Sequence, residues 1–290
     1  MTGAEIVPAA ALAKKAAESA LGESASTKER LLDLASETPE MQQAARHLAR
    51  RIEIRQAIIT AFYRPLARFA DSGREYFEEG GQFQSDLSDK VADVSPEDLV
   101  EPPPSVAVPA MQGLSYSLDE PDLKAMYLNL LATATDGRSA GEAHPAFADV
   151  IRQLSPDEAP ELQAIVQTDK RHPICELRWI TDSRGTLTVM RNVLDFRRGD
   201  PPEPAEDRRL AMWVDNWVRL GLVSVSFEGH LARPGAYDWV EARPEYVALQ
   251  AATPPVDPTD AAIVYRPTFE RGYIEATSFG LSFARAVFPS

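Results

Sequence analysis

The sequence has a single cysteine, Cys175, among its 290 residues. One cysteine excludes an internal disulfide framework and leaves no partner for a cysteine-rich metal site within the chain. The N-terminal stretch carries Glu5 and lysines inside its apolar run, which is unlike a secretory signal. No apolar run approaches the roughly 20 residues of a membrane span. We therefore expect a cytoplasmic protein without a transmembrane span.

Common nucleotide-binding and metal-binding motifs are also missing. The sequence contains no GxGxxG and no GxxxxGK[ST], which argues against the usual dinucleotide and P-loop sites. No HExxH, HxxE or CxxC occurs, and the four histidines are scattered along the chain. We therefore expect no cofactor and no metal, and we assign no catalytic, cofactor-binding or metal-binding residue.

The charge is acidic and unevenly spread. The formal net charge is -14; residues 1–159 hold 15 basic and 26 acidic residues, whereas residues 160–290 hold 15 and 18. A strongly acidic surface repels phosphate backbones. The charge therefore argues against nucleic acid as the main partner.

The N-terminal part predicts packed helices. Between residues 41 and 69, seam positions recur at alternating steps of four and three, which is typical of a long helix packed on another helix. Arg55 is the only polar member of this seam, so it either reaches water along its aliphatic stem or meets an acidic partner. A second helix, starting at Pro121, has a buried apolar face. We predict a helical domain over residues 1–168.

The C-terminal part predicts strands mixed with helices. ICELRWIT and GTLTVMRNVLDF read as two strands, and a helix carrying Trp213 and Trp217 ends at Gly221 before another strand. The two tryptophans, one helical turn apart, predict core packing, or a protein interface if they are exposed. A strand and a short terminal helix follow. This order resembles a winged-helix module, so we predict an α+β winged-helix-like domain over residues 169–290.

Between these parts, residues 127–159 concentrate polar groups around one histidine. His144 with nearby carboxylates could act as a general base or hold a metal. The same residues also suit a joint between helices, since Pro145 can lie in a first turn and Phe147 on a buried face. Residues 155–158, SPDE, likewise read as a capping box at a helix start. We interpret the segment as scaffold and keep His144, Pro145 and Phe147 as possible functional residues.

Several motifs in this region resemble a known family. The stretch VEPPPSVAVPAMQGLSYSLDEPDLKAMYLNLLATATD, then HPAFADVIRQLSPDEA and ATSFGLSFARAV, is similar to the Abi-alpha proteins, which are bacterial proteins grouped under abortive phage infection. The resemblance implies defence against phage by halting growth or killing the infected cell. It brings no catalytic residue with it.

The prediction from sequence is therefore an α+β protein with a mostly helical N-terminal region of long packed helices and a smaller domain resembling a winged helix. The leading hypothesis is phage defence through a protein partner or self-association, in which the helical region forms the oligomer. Two alternatives stay open: a regulator that binds DNA through the C-terminal module, and an enzyme with an unfamiliar site near His144.

Overall fold

The computed structural model describes residues 74–77, 81–183, 185–260 and 262–288. Over these residues the chain is a mixed α+β protein, as the sequence predicts. The predicted seam at residues 41–69, with Arg55, lies outside the described residues. Contacts separate two units, one running to Pro156 and including the chain from Arg285, the other Asp157–Ala284. The domain boundary at residue 168 stays a prediction.

The first unit is helical where it is described. Two of its helices begin with proline in the first turn, where a missing backbone N–H costs no hydrogen bond. Short 3-10 turns connect the helices at Pro96–Asp98 and Ala140–Glu142. The helices are α1 Arg74–Phe77, α2 Gln82–Lys90, α3 Pro104–Tyr116, α4 Pro121–Thr135 and α5 Ala146–Arg152.

Helix α3 is longer than the sequence suggests. Its run of prolines predicts an extended lead-in and only a short helical turn near residues 109–114, but the helix covers Pro104–Tyr116 with Pro109 inside it. Pro109 removes one backbone hydrogen bond. Tertiary packing offsets this loss, because one face of α3 is buried through Val106, Ala110, Met111 and Leu114.

Helices α3, α4 and α5 meet around one tyrosine. Tyr127 of α4 is 1% exposed, and its ring lies directly against Gly113 of α3, where a Cβ atom would come within 2.2 Å of the ring. Its hydroxyl donates to the carbonyl of Ala148 in α5, at 3.4 Å. Burial raises the pKa of Tyr127 to about 12. The YLNLL stretch at residues 127–131 therefore belongs to the helix core, as the buried-face prediction for α4 requires.

Two polar side chains of α4 point to the end of the chain. Asn129 Nδ2 donates to the carbonyl of Val287 at 2.8 Å, and Thr133 Oγ1 donates to that of Ala286 at 3.0 Å. Carbonyls in the last turn of a helix lack partners within that helix. These side chains therefore cap the C-terminal residues that belong to the first unit.

The second unit combines an antiparallel sheet with short helices. The helices are α6 Ala159–Val166, α7 Leu210–Arg219, α8 Pro244–Ala251 and α9 Ser278–Val287, whose last residues belong to the first unit. The strands are β1 His172–Thr181, β2 Thr186–Val193, β3 Arg197–Arg198, β4 Glu203–Pro204, β5 Val223–Ser226 and β6 Tyr265–Ala276. Four of them form a sheet in the order β2-β1-β6-β5, and β3 pairs with β4.

One face of this sheet carries a hydrophobic cluster. Cys175, Leu177 and Trp179 alternate along β1 and pack with residues that follow β5 in the chain. The cluster also contains Val193, Ala236, Tyr237, Val240, Tyr246 and Leu249. The position of Cys175 in HPIC, at the head of a strand, predicts a small buried apolar residue. This prediction is confirmed, since Cys175 is 0% exposed.

The predictions of the β1–β2 hairpin and of the helix caps in this unit are confirmed. β1 and β2 pair as an antiparallel hairpin, and Gly221, with a φ of 73°, ends α7 before β5 begins. The sequence predicts a cap at Thr277 or Ser278 for the last helix, and Thr277 provides it, because its Oγ1 accepts a hydrogen bond from the Gly280 N–H at 2.9 Å. Within the described part of the chain, no helix combines the length and the hydrophobicity that crossing a membrane requires.

Candidate functional site

His144 serves the start of helix α5. Its Nδ1 accepts a hydrogen bond from the Ala146 N–H at 3.1 Å, and its ring lies 5.6 Å from that of Phe147, centroid to centroid. Pro145 is the residue before the helix, in helical conformation, and Phe147 is 1% exposed. The structure thus brings the three residues together as a solvent-facing helix start over a buried aromatic ring. A catalytic part for His144 stays a hypothesis.

A serine motif close by was missed from the sequence. Residues 137–141, GRSAG, match the GxSxG pattern of serine hydrolases. In those enzymes the serine lies on a sharp turn from a strand to a helix. Ser139 instead follows helix α4 and precedes a 3-10 turn, and its Oγ donates to the carbonyl of Thr133 at 3.3 Å. The local structure therefore does not support a hydrolase nucleophile.

Trp213 and Trp217 lie on the buried face of α7, at 2% and 0% exposure. Trp217 Nε1 donates to Glu158 Oε2 at 2.8 Å, and Glu158 is itself 3% exposed. Arg209 covers Trp213, with its guanidinium carbon 4.9 Å from the ring centroid. The prediction that both tryptophans pack in the core is confirmed. The alternative, a protein interface, required exposed side chains and does not apply.

This contact also changes the start of helix α6. The SPDE sequence predicts a capping box with the helix beginning at Pro156, but α6 begins at Ala159 without a side-chain cap. Residues 156–158 form a turn instead. The physical reason is that the Glu158 carboxylate turns inward to the indole of Trp217, since a buried indole N–H needs an acceptor.

A small cleft opens beside strand β2. Pairing between β1 and β2 slips by one residue between Cys175 and Leu177, so β2 bulges there. Asn192 lies in this bulge with a φ of 56°, is 8% exposed, and donates from Nδ2 to Asp215 Oδ1 at 2.8 Å. Left-handed backbone is uncommon for a residue other than glycine, although asparagine tolerates it best. The hydrogen bond to Asp215 joins the bulge of β2 to helix α7.

The cleft encloses about 290 Å³. Apolar side chains form one part of its wall, and polar or charged side chains form the rest. The lining residues are Met190, Arg191, Asn192, Val193, Glu206, Asp207, Arg208, Leu210, Ala211 and Glu245. Which of these charges can attract a ligand depends on how each of them is already paired.

Two carboxylates of the cleft are held by arginine forks. Arg209 donates to both oxygens of Asp207, at 3.1 and 2.8 Å, which lowers the pKa of Asp207. Arg243 is 0% exposed and donates to both oxygens of Glu245, at 3.1 and 2.5 Å. Arg243 also donates to the carbonyls of Phe196 and Ala205, so it clamps the base of the β3–β4 hairpin.

Sequence reasoning missed this cleft and its clamp. The one usable signal was Asn192, because asparagine is depleted in strands and its presence in TLTVMRNV indicates a bulge. Arg243 and Glu245 carry no such signal, since they lie in a stretch that reads as a loop. Their partners come from distant parts of the chain.

The remaining candidate ligands and nucleophiles do not converge. Across the described ranges, no three His, Cys, Asp or Glu side chains group as metal ligands would. Burial raises the pKa of the Cys175 thiol to about 12, so the thiolate that a nucleophile needs is scarce at neutral pH.

The fold and the sites together define an α+β protein. In it, the residues of the motifs recognised from sequence form contacts between helices or the starts of helices. The family model named abortive infection alpha matches residues 74–287, which is most of the chain. The chain therefore belongs to the abortive infection alpha family, and the resemblance inferred from its motifs is confirmed. No curated protein and no solved structure matches the chain.

Proposed function

We propose that the protein is a bacterial defence protein that stops phage multiplication by abortive infection and acts in the cytoplasm through protein contacts, with a partner or with itself. The family match over residues 74–287 is the observation that carries this proposal. It supports the outcome, namely arrest or death of the infected cell. The mode of action rests on a separate argument from the motifs.

Most of the described side chains in the family motifs are engaged in packing or in hydrogen bonds that hold the helices. Tyr127 packs against Gly113 and bonds to Ala148, His144 accepts from the start of α5, and Phe147 is buried. Side chains engaged in this way maintain shape and do not need to take part in bond-making. Surfaces held by that scaffold are then the part of the molecule that would recognise a target.

The proposal is tested by phage challenge of cells expressing the chain. We expect lower plaque numbers for at least some phages in a diverse panel, and early loss of growth when cells are infected at high multiplicity. The variant Phe147→Ala, which empties a core site at about 3–5 kcal/mol, should lose protection together with its fold. His144→Gln keeps a polar surface side chain and should retain protection. Unchanged plaque counts and growth curves across the panel would contradict the proposal.

Self-association has its own measurement. Sedimentation of the purified chain over a hundredfold range of concentration should show a species heavier than the 31.9 kDa monomer. A monomer throughout, combined with protection in cells, would assign the interaction to a different protein and reject the oligomer.

A second candidate is DNA binding through a winged-helix-like module, favoured by the chain order α7, β5, long connection, β6, α9. Exposed Arg208 and Arg219 lie at the ends of α7, but the chain carries -14 overall. Duplex binding that falls steeply with salt would favour this candidate. Absence of binding at low salt would eliminate it.

A further inference from the structure

We infer that the cleft beside the β2 bulge binds a small organic anion, with an apolar body and one carboxylate or phosphate group. This inference goes beyond the proposed defence function, because it assigns a ligand to the protein itself. It stands on the charge pairing, the wall and the size of the cleft.

Charge pairing leaves the arginines of the cleft available. Asp207 and Glu245 are held by bidentate contacts from Arg209 and Arg243. Arg208 is 91% exposed in its side chain and is held only through Nε, 3.2 Å from Glu206. Arg191 is 74% exposed in its side chain, and its Nε is 3.9 Å from Glu176 Oε1. The terminal nitrogens of both can therefore turn to an incoming anion, which a guanidinium binds in a fork.

The wall adds a buried polar group and the start of a helix. Asn192 is 8% exposed and lines the cleft; its Nδ2 is engaged by Asp215, whereas its Oδ1 has no hydrogen-bond partner among the described residues. Helix α7 begins in the same wall at Leu210, and the N–H of Arg209 just before it already donates to Asp207 Oδ1 at 2.9 Å. A ligand with an anionic group for the arginines and one donor for Asn192 Oδ1 would therefore match the polar part of the wall.

Size and apolar lining limit the ligand. The volume of about 290 Å³ is just under the roughly 300 Å³ at which ordinary ligand pockets start, so only a small ligand fits. Met190, Val193 and Leu210 give the body of the ligand an apolar surface to cover. A ring-sized body fits this description better than an inorganic anion alone.

Titration of the purified full chain tests the inference, with phenyl phosphate, benzoate, inorganic phosphate and benzyl alcohol as probes and isothermal calorimetry or protein NMR as the readout. Saturable binding of phenyl phosphate or benzoate is expected, and the stronger of the two identifies the anionic group. Inorganic phosphate should bind more weakly because it leaves the apolar wall bare, and benzyl alcohol should bind more weakly because it lacks the charge. Affinity should fall as KCl is raised.

Three variants locate the binding. Arg208→Gln and Arg191→Gln should each weaken the better probe about tenfold, the usual scale for one charge-assisted hydrogen bond. Asn192→Gly keeps the left-handed backbone and removes the amide, so it should weaken binding with an unchanged fold. The control Arg266→Gln removes another exposed arginine, 66% exposed in its side chain and outside the cleft, and should bind as the parent chain does.

Absence of saturable binding, equal affinities for phenyl phosphate and inorganic phosphate, or an equal loss in Arg266→Gln would each overturn the inference. The titration uses no phage and no cells. Its failure is therefore distinct from a failure of the defence assay, and either one can fail while the other succeeds.

Discussion

Replacing Gly113 with alanine tests how the family motifs hold the helices together. A Cβ atom at Gly113 would lie 2.2 Å from Cζ, 2.3 Å from Oη and 2.4 Å from Cε1 of Tyr127. Carbon atoms pack at about 3.5–4.0 Å, so the ring or helix α3 must shift by more than about 1 Å. A shift of the ring also breaks its hydrogen bond to the carbonyl of Ala148.

The magnitude follows from three competing effects. Alanine is favoured over glycine inside a helix by about 1 kcal/mol. Overpacking a filled core costs about 1–3 kcal/mol, and loss of the tyrosine hydrogen bond costs about another 1 kcal/mol. The steric effect outweighs helix propensity, so we expect Gly113→Ala to lower the free energy of unfolding by roughly 1–3 kcal/mol.

Urea denaturation followed by circular dichroism measures this change. The control Gly141→Ala makes the same substitution at a site where a Cβ atom would meet nothing within 4 Å, and it should stay within about 0.5 kcal/mol of the parent chain. The double variant Gly113→Ala with Tyr127→Leu removes all three clashing atoms. It should cost less than the sum of the single variants. A Gly113→Ala chain as stable as the parent, or simple additivity in the double variant, would refute the packing argument.

Three further predictions concern buried polar groups. Trp217→Phe removes the donor to a buried carboxylate and should destabilise the fold by about 1–3 kcal/mol more than Trp213→Phe in urea denaturation; equal costs would contradict this. Arg243→Met leaves Glu245 buried without its fork and should cost about 3–5 kcal/mol, whereas adding Glu245→Met should recover part of that loss. Burial raises the pKa of Cys175 from 9.0 to about 12, so its stabilising contribution is complete below pH 9 and declines as the pH rises toward 12. Cys175→Ala should therefore flatten the alkaline fall in melting temperature, and an unchanged slope would disprove it.

Local patterns predicted three elements of the second unit, but not helix α8, which lies in a stretch that reads as a loop. Alternation along ICELRWIT and TLTVMRNV predicts β1 and β2, and the stripe of Trp213 and Trp217 followed by Gly221 predicts α7 and its end. Each of these signals lies within a few residues, and burial of one face is the only tertiary condition that it needs. The order of the family motifs likewise predicted the family itself.

Local patterns misjudged two helix boundaries. Helix α3 extends through Pro109 because its buried face offsets a lost hydrogen bond, which a propensity argument does not contain. Helix α6 starts at Ala159 because Glu158 bonds to an indole far along the chain. In both cases a tertiary contact with residues outside the local sequence pattern decided where the helix begins or how long it is.

The sequence by itself determined the α+β class, the burial of its lone cysteine and its membership of the abortive infection alpha family, because periodicity, composition and motif order are local properties. Tertiary structure alone decided that Gly113 receives the ring of Tyr127, that Arg243 clamps the β3–β4 hairpin, and that the β2 bulge opens a cleft beside α7. These contacts join residues far apart in the chain. Their energies depend on distance and burial in three dimensions, which no spacing along the chain encodes.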